Sequence, residues 1–207
     1  MSRAYQTTVN LLIQRVRQTG GIAVTQDVAT EVLGKCERLL NAHLRRIVAS
    51  TAFTTTAKQL VYDYRTTLTT AVDILKVETS TKLLVKCDNL HDFSAYDVDW
   101  FRNITGTAFE AWCQIGRDLL ILYPAKATAS SVTITYSKLL DAYTTYAAAS
   151  GKNMSLPDED VETALALAEI ILLARNRDAS QIEVRLEQFA ATLGIILPSW
   201  GGTGGTH

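Results

Sequence analysis

The sequence predicts an α+β chain: a helical bundle, made of one long N-terminal helix and two C-terminal helices, with a small antiparallel β-sheet region inserted between them. Two observations lead there. Apolar residues recur at helical spacing near both ends of the 207-residue chain, and the spacing falls towards two in the middle. Threonine, about one residue in eight, is densest between Thr51 and Thr70, where β-branching favours extended backbone over helix. The organisation that follows is a single domain over 1–194, helical over 1–50 and 152–194 with a β-rich insertion over 51–140, and then an extended tail over 195–207.

Each element has its own signal. Val9, Leu12, Ile13 and Val16 repeat at i, i+3, i+4 and i+7, which predicts a short amphipathic helix ended by Gly20-Gly21. Val28, Val32, Leu33, Cys36, Leu39, Leu40, Leu44, Ile47 and Val48 form a longer stripe of about six turns, with Asp27 or Thr25 placed to cap its first N–H groups. His43 lies on the edge of that stripe and reads as a packed helix residue. In the middle, Leu60, Tyr62 and Tyr64 alternate with Val61, Asp63 and Arg65, and Leu83, Val85 and Cys87 alternate with Leu84, Lys86 and Asp88, as half-buried strands do. A short helix around Asp92 to Arg102 would put Phe93, Tyr96 and Trp100 on one face. Residues 118–124 and 132–136 are β-rich runs, with Ala108 to Ile115 as their antiparallel partner, ended by Gly116.

Helical spacing returns after Gly151. Ser155 and Asp158 stand at capping-box spacing, Pro157 suits the start of a helix, and Asp158, Glu159 and Asp160 suit the positive end of its dipole. Val161, Leu165, Ala168, Ile171, Leu172 and Arg175 carry the stripe. Ser180 and Glu183 make a second capping box, Ile182, Leu186, Phe189, Ala190 and Leu193 face inward, and Gly194 ends the helix. The two helices are read as antiparallel, joined by Arg177-Asp178-Ala179.

Lys plus Arg number 20 and Asp plus Glu 21, a net charge of -1, which argues against a dedicated nucleic-acid binder. No apolar run reaches the ~18 residues of a membrane span, and the first residues lack the pattern of a signal peptide. The three cysteines, Cys36, Cys87 and Cys113, are far apart and read as reduced, partly buried thiols; His43, His91 and His207 are equally scattered. There is no Walker-type loop, no Gly-x-Ser-x-Gly elbow and no His-Glu-x-x-His helix. Asp97 and Asp99 beside Trp100 read as solvated positions around a buried aromatic, and no third group orients Cys36 and His43 as a nucleophile and base. The expectation is a protein that is not an enzyme, with no catalytic residue, no metal and no cofactor. Arg15, Arg17, Arg45, Arg46, Arg175 and Arg177 form three short basic clusters, read as surface or interface positions.

The last segment carries the sharpest expectation. Four of its final seven residues are glycine, a composition that stays flexible unless something holds it. Ahead of them stand Ile195, Ile196, Leu197, Pro198 and Trp200, apolar anchors for capture by a partner chain.

In order of parts the chain resembles the head-to-tail adaptor proteins of tailed bacteriophages, also called connector or head-completion proteins. The residues that carry the resemblance are the helical Asp27 to Val48, the threonine-rich strands, Asp99-Trp-Phe-Arg102, Ala111-Trp-Cys-Gln-Ile-Gly116, Leu120-Ile-Leu-Tyr-Pro124, Val132-Thr-Ile-Thr-Tyr136, and Leu156-Pro157-Asp158-Glu159-Asp160 leading into an alanine-rich helix. It spans about Leu11 to Pro198. The resemblance implies a structural virion protein: a homo-oligomeric ring, commonly of about twelve copies, bound beneath the portal protein. There it would connect the portal to the tail nozzle or tube proteins and complete the DNA channel. Double-stranded DNA would pass through with non-specific contact only, and no membrane would be involved. The implied location is the head-tail junction of the virion, with the host cytoplasm as the place of assembly, and residues 195–200 would dock on the portal. A tail terminator or other tail ring, and a cytoplasmic non-enzymatic binding or regulatory module, are the alternative readings.

Overall fold

A computed structural model describes residues 3–101, 106–176 and 179–192. The chain divides into two compact units, one of residues 1–40 and 141–207 and the other of residues 41–140.

In the first unit, α1 (Tyr5–Gly20) buries Tyr5, Val9, Leu12 and Val16. It stops where Gly21 turns left-handed at φ 64° and returns its N–H to the Arg17 carbonyl, a conformation that costs glycine nothing. Helix α2 (Gln26–Leu44) opens on Thr25, whose hydroxyl accepts the Val28 N–H at 3.4 Å. Asp27 is drawn elsewhere and accepts the N–H of Tyr146 at 2.7 Å. Along α2, Ala29, Val32, Leu33, Cys36 and Leu40 are buried, whereas Val28, Leu39 and His43 face solvent; His43 is therefore not the packed residue its position predicts.

Helix α3 (Asp158–Arg175) is buried around most of its circumference, with Val161, Ala164, Leu165, Ala168, Leu172 and Leu173 joined by Thr163 and Glu169. So widely buried a helix is a central one, and α3 packs against both α1 and α4 (Ala179–Thr192). The predicted Ser155–Asp158 box does not open it. Pro157 occupies the N-cap and has no side-chain acceptor, while Asp158 accepts the distant N–H of Arg3 at 3.2 Å. On α4, Ala190 is buried and Ile182 and Phe189 half-buried, but Leu186 stays exposed. The caps predicted at Ser180, Glu183 and Gly194, together with Leu193, lie outside the described residues or side chains.

Among its described residues the second unit holds seven strands in two sheets: β1 (Val48–Thr54), β2 (Val61–Asp63), β3 (Ala71–Glu78), β4 (Val85–Lys86), β5 (Ala111–Ile115), β6 (Leu119–Tyr123) and β7 (Ser131–Lys138). One sheet runs β1-β7-β3, all antiparallel; the other runs β2-β6-β5-β4, with β4 and β5 parallel. Alternation along β5 and β6 splits their side chains between two cores. Trp112, Leu120 and Leu122 join Ile74, Val77 and Ile134 of the other sheet. Ala111, Cys113, Ile121 and Tyr123 join Phe93 on the opposite face. Both faces of β6 are thus covered, which is why Leu-Leu-Ile-Leu-Tyr reads as a continuous apolar run.

These sheets correct the expected helical bundle with a small inserted antiparallel sheet. The chain is α+β with two sheets and about 38% of its residues helical. Two local causes hid this. Helix α2 ends at Leu44 because Arg45 adopts φ 55° and the Asn41 side chain accepts the Ile47 N–H at 2.7 Å, sending Val48 into β1. Strand β3 carries register shifts at Ala71/Asp73 and Ile74/Lys76, so its buried Ala71, Ile74 and Val77 recur every three residues and imitate a helix.

Candidate assembly surfaces

In the helical unit, Arg15, Glu159, Glu162, Glu169, Arg185 and Gln188 line an open cleft of about 300 Å³. Its charges alternate. Glu162 bridges Arg3 and Arg15, the latter at 2.7 Å, and the hydrogen bonds that the guanidinium groups donate, that of Arg3 foremost, hold its carboxyl below the usual range. Glu169 is buried; it accepts from Thr19 at 2.7 Å and faces Arg185 at 3.4 Å. Through Glu162 and Glu169 and their arginine partners, the cleft ties α1, α3 and α4 together.

The same unit holds a second buried acid. Glu37, 1% exposed, accepts the backbone N–H groups of Ser155 at 2.5 Å and Leu156 at 3.0 Å through one carboxylate oxygen. Its other oxygen and the Tyr5 hydroxyl are buried without a hydrogen-bond partner among the described residues. Burial pushes the Glu37 carboxyl above its ordinary value, against the pull of the two N–H donors. Glu37 thus holds the bend that leads into α3, a role no motif in the sequence announces.

The sheet unit carries two surfaces of another kind. Edge strands β3 and β4 border a groove of about 470 Å³ lined by Lys76, Leu83, Leu84, Val85, Lys86 and Trp112. The predicted half-buried strand there is corrected in its facing: Leu84 and Cys87 are buried, whereas Leu83 and Val85 are 60% and 54% exposed. Val85–Lys86 pairs with β5, and just ahead of it Leu83 bridges Glu78 while the Leu84 N–H donates to the Val77 carbonyl at 3.0 Å, so the segment links the edge strands of the two sheets. The second surface follows the 3-10 helix over Leu90–Ala95, which a reciprocal Asn89–Asp92 capping box opens. It replaces the longer helix predicted to Arg102. Phe93 lies 5.1 Å from the Trp100 ring and 5.7 Å from that of Tyr123, which fastens the segment to the sheet. Past it, Val98 is 81% exposed and Phe101 is exposed as well. Asp97 is not simply solvated: it accepts the Asp99 N–H at 2.9 Å and the Tyr123 hydroxyl at 3.4 Å.

The residues singled out for partner binding, Ile195, Ile196, Leu197, Pro198 and Trp200, lie outside the described residues, as does Arg177. Cys36, Cys87 and Cys113 are free and buried, Cys36 in the helical unit and the other two in the core around Phe93, and burial pushes all three thiols up, Cys36 to about 12. Of the arginine clusters, Arg15 pairs with Glu162 and Arg45 with Asp73 at 2.7 Å. Among the described residues there is no group of three or more metal-ligating side chains, and no helix is long and apolar enough to cross a membrane. No family model matches the chain, and no curated protein matches it.

Proposed function

We propose that the chain is a structural virion component, a head-to-tail adaptor whose copies form a ring beneath the portal. In this role it binds the portal protein and the tail proteins and completes the channel through which DNA passes. The observation that carries this reading is the set of large apolar side chains left in solvent on each unit. They are Leu39 and Val184 on the helical unit, and Leu83, Val85, Val98 and Phe101 on the sheet unit. Each square ångström of apolar surface withdrawn from water contributes about 25 cal/mol, so surfaces of this kind favour partners. The reading also gives Ile195 to Trp200 a place, as the portal-docking segment.

Imaging the chain in its native particle tests this. A closed ring of about twelve copies between portal and tail is the expected result. A six-fold ring lower in the tail makes the chain a terminator or tube protein, and absence from any particle returns it to a binding module. Deleting residues 195–207 is expected to abolish portal attachment; normal attachment of that truncation removes the docking role of the tail and leaves the ring.

A further inference from the structure

Val98 is the most exposed large apolar side chain among the described residues, and it stands between two aspartates, Asp97 and Asp99. Its turn is stiff, because Asp97 holds the Asp99 backbone and Tyr123 while Phe93 and Trp100 pack beneath. A rigid apolar tip with an acidic rim is costly to leave in water and cheap to dock, since little conformational entropy is lost on binding.

The groove along β3 and β4 has the converse chemistry. Its floor and walls are Leu83, Leu84, Val85 and Trp112, and its charged members are both cations, Lys76 and Lys86. The Lys86 ammonium lies 5.6 Å from the centroid of the Trp112 ring, and Lys76 is steadied by Glu78 at 2.6 Å. A volume of about 470 Å³ is ample for a valine tip and the Asp99 carboxylate beside it.

From these two surfaces we infer that the chain associates with itself head to tail, the Asp97-Val98-Asp99 tip of one copy entering the Lys76/Lys86 groove of the next. The groove lies at the edge where β3 and β4 end their sheets. The tip follows the 3-10 helix fastened to the Phe93 and Tyr123 face of the four-stranded sheet. Because tip and groove are different patches, each docking event leaves one of each unused, and the contact repeats until rotation closes it into a ring. Val98 fills the apolar floor, and Asp99 approaches Lys86, so charge sets the register while the buried tip supplies affinity. The inference rests on the ring reading above and names the contact that would build it.

The test uses full-length chains carrying Leu83→Cys or Val98→Cys, mixed at about millimolar concentration and oxidised with copper phenanthroline. The native cysteines are buried and do not compete. A covalent dimer is expected in the mixture and in neither variant alone. Lys86→Glu in the first copy should lower its yield at least tenfold, and Asp99→Lys in the second should restore it. All four positions are exposed, and circular dichroism checks that each variant folds. No mixed dimer, or one whose yield ignores both charge reversals, overturns the inference. Rings seen in particles without the mixed dimer overturn this contact and leave the adaptor reading. A charge-dependent mixed dimer from a chain found in no particle supports the contact and removes the adaptor reading.

Discussion

The side-chain amide of Gln114, on β5, accepts the backbone N–H of Ile74, on β3, at 3.0 Å. Ile74 borders a register shift in β3, where the ladder to β7 cannot use every N–H, and the four-stranded sheet supplies the missing acceptor across the core. Gln114 also donates to the Tyr64 hydroxyl at 2.9 Å and the Gly116 carbonyl at 3.0 Å. One amide therefore ties both sheets.

Gln114→Leu should cost about 1–3 kcal/mol, because it strands the Ile74 N–H inside the protein while keeping side-chain volume. Urea unfolding followed by tryptophan fluorescence reads the loss. A change below about 0.5 kcal/mol would show that β3 satisfies its bulge without Gln114.

Glu37→Gln keeps the oxygen that accepts from Ser155 and Leu156 and removes the charge. The folded-state pKa of Glu37 is raised above its ordinary 4.5, so its contribution is fully present below that value and is lost as pH rises through the folded one. Stability of the parent protein should accordingly fall relative to Glu37→Gln as pH is raised from 4 towards neutrality. Glu37→Ala, which leaves two N–H groups bare, should cost about 2–3 kcal/mol at any of these pH values. Thermal melts across that range check both, and parallel pH curves for parent and Gln variant would remove the linkage.

All three thiols should be silent to a thiol-specific disulfide reagent in the native protein and react fully in denaturant. With the Cys36 pKa near 12, about one Cys36 thiol in ten thousand is ionised at pH 8, and none of the three is accessible. Rapid native labelling of any one would contradict the packing described for its surroundings.

Gly106 and Gly116 should respond differently to alanine. A Cβ on Gly106 would sit 2.1 Å from the Pro124 ring, so chain or ring must move, at a cost of about 1–3 kcal/mol or more. A Cβ on Gly116 meets nothing within 4 Å, but its φ of +60° charges an L-residue about 1–2 kcal/mol. Urea midpoints should rank Gly106→Ala below Gly116→Ala, with Gly116→Ala below the parent.

Much of the helical unit was legible because α1 and α2 each bury one stripe, and a stripe repeats visibly every three to four residues. Gly21 and Thr25 likewise act within their own turn. Where a side chain serves a distant segment, local rules mislead: Asp27 leaves its own helix for Tyr146, and Asp158 turns to Arg3 instead of Ser155. Of the surfaces, Val98 between two aspartates could have been noticed as an apolar residue in a polar frame. Leu83 and Val85 gave the signal of a half-buried strand, but the pairing of this segment with Glu78 and with β5 turns Leu84 inward and leaves both of them exposed.

By itself, then, the sequence determined where the four α-helices run, where the first of them stops, and that much of the middle of the chain is extended. These depend on backbone preference and on periodicity, both of which act between residues a few positions apart. The tertiary structure alone decided that the strands form two sheets sharing one core, with a second core on the other face of the four-stranded sheet. It also decided that Glu37 and Gln114 satisfy backbone donors 118 and 40 residues away, and that an apolar tip and a basic groove remain in solvent. Those outcomes turn on which buried donor finds an acceptor and which edge is left unpaired. Both are settled only when segments far apart in sequence meet.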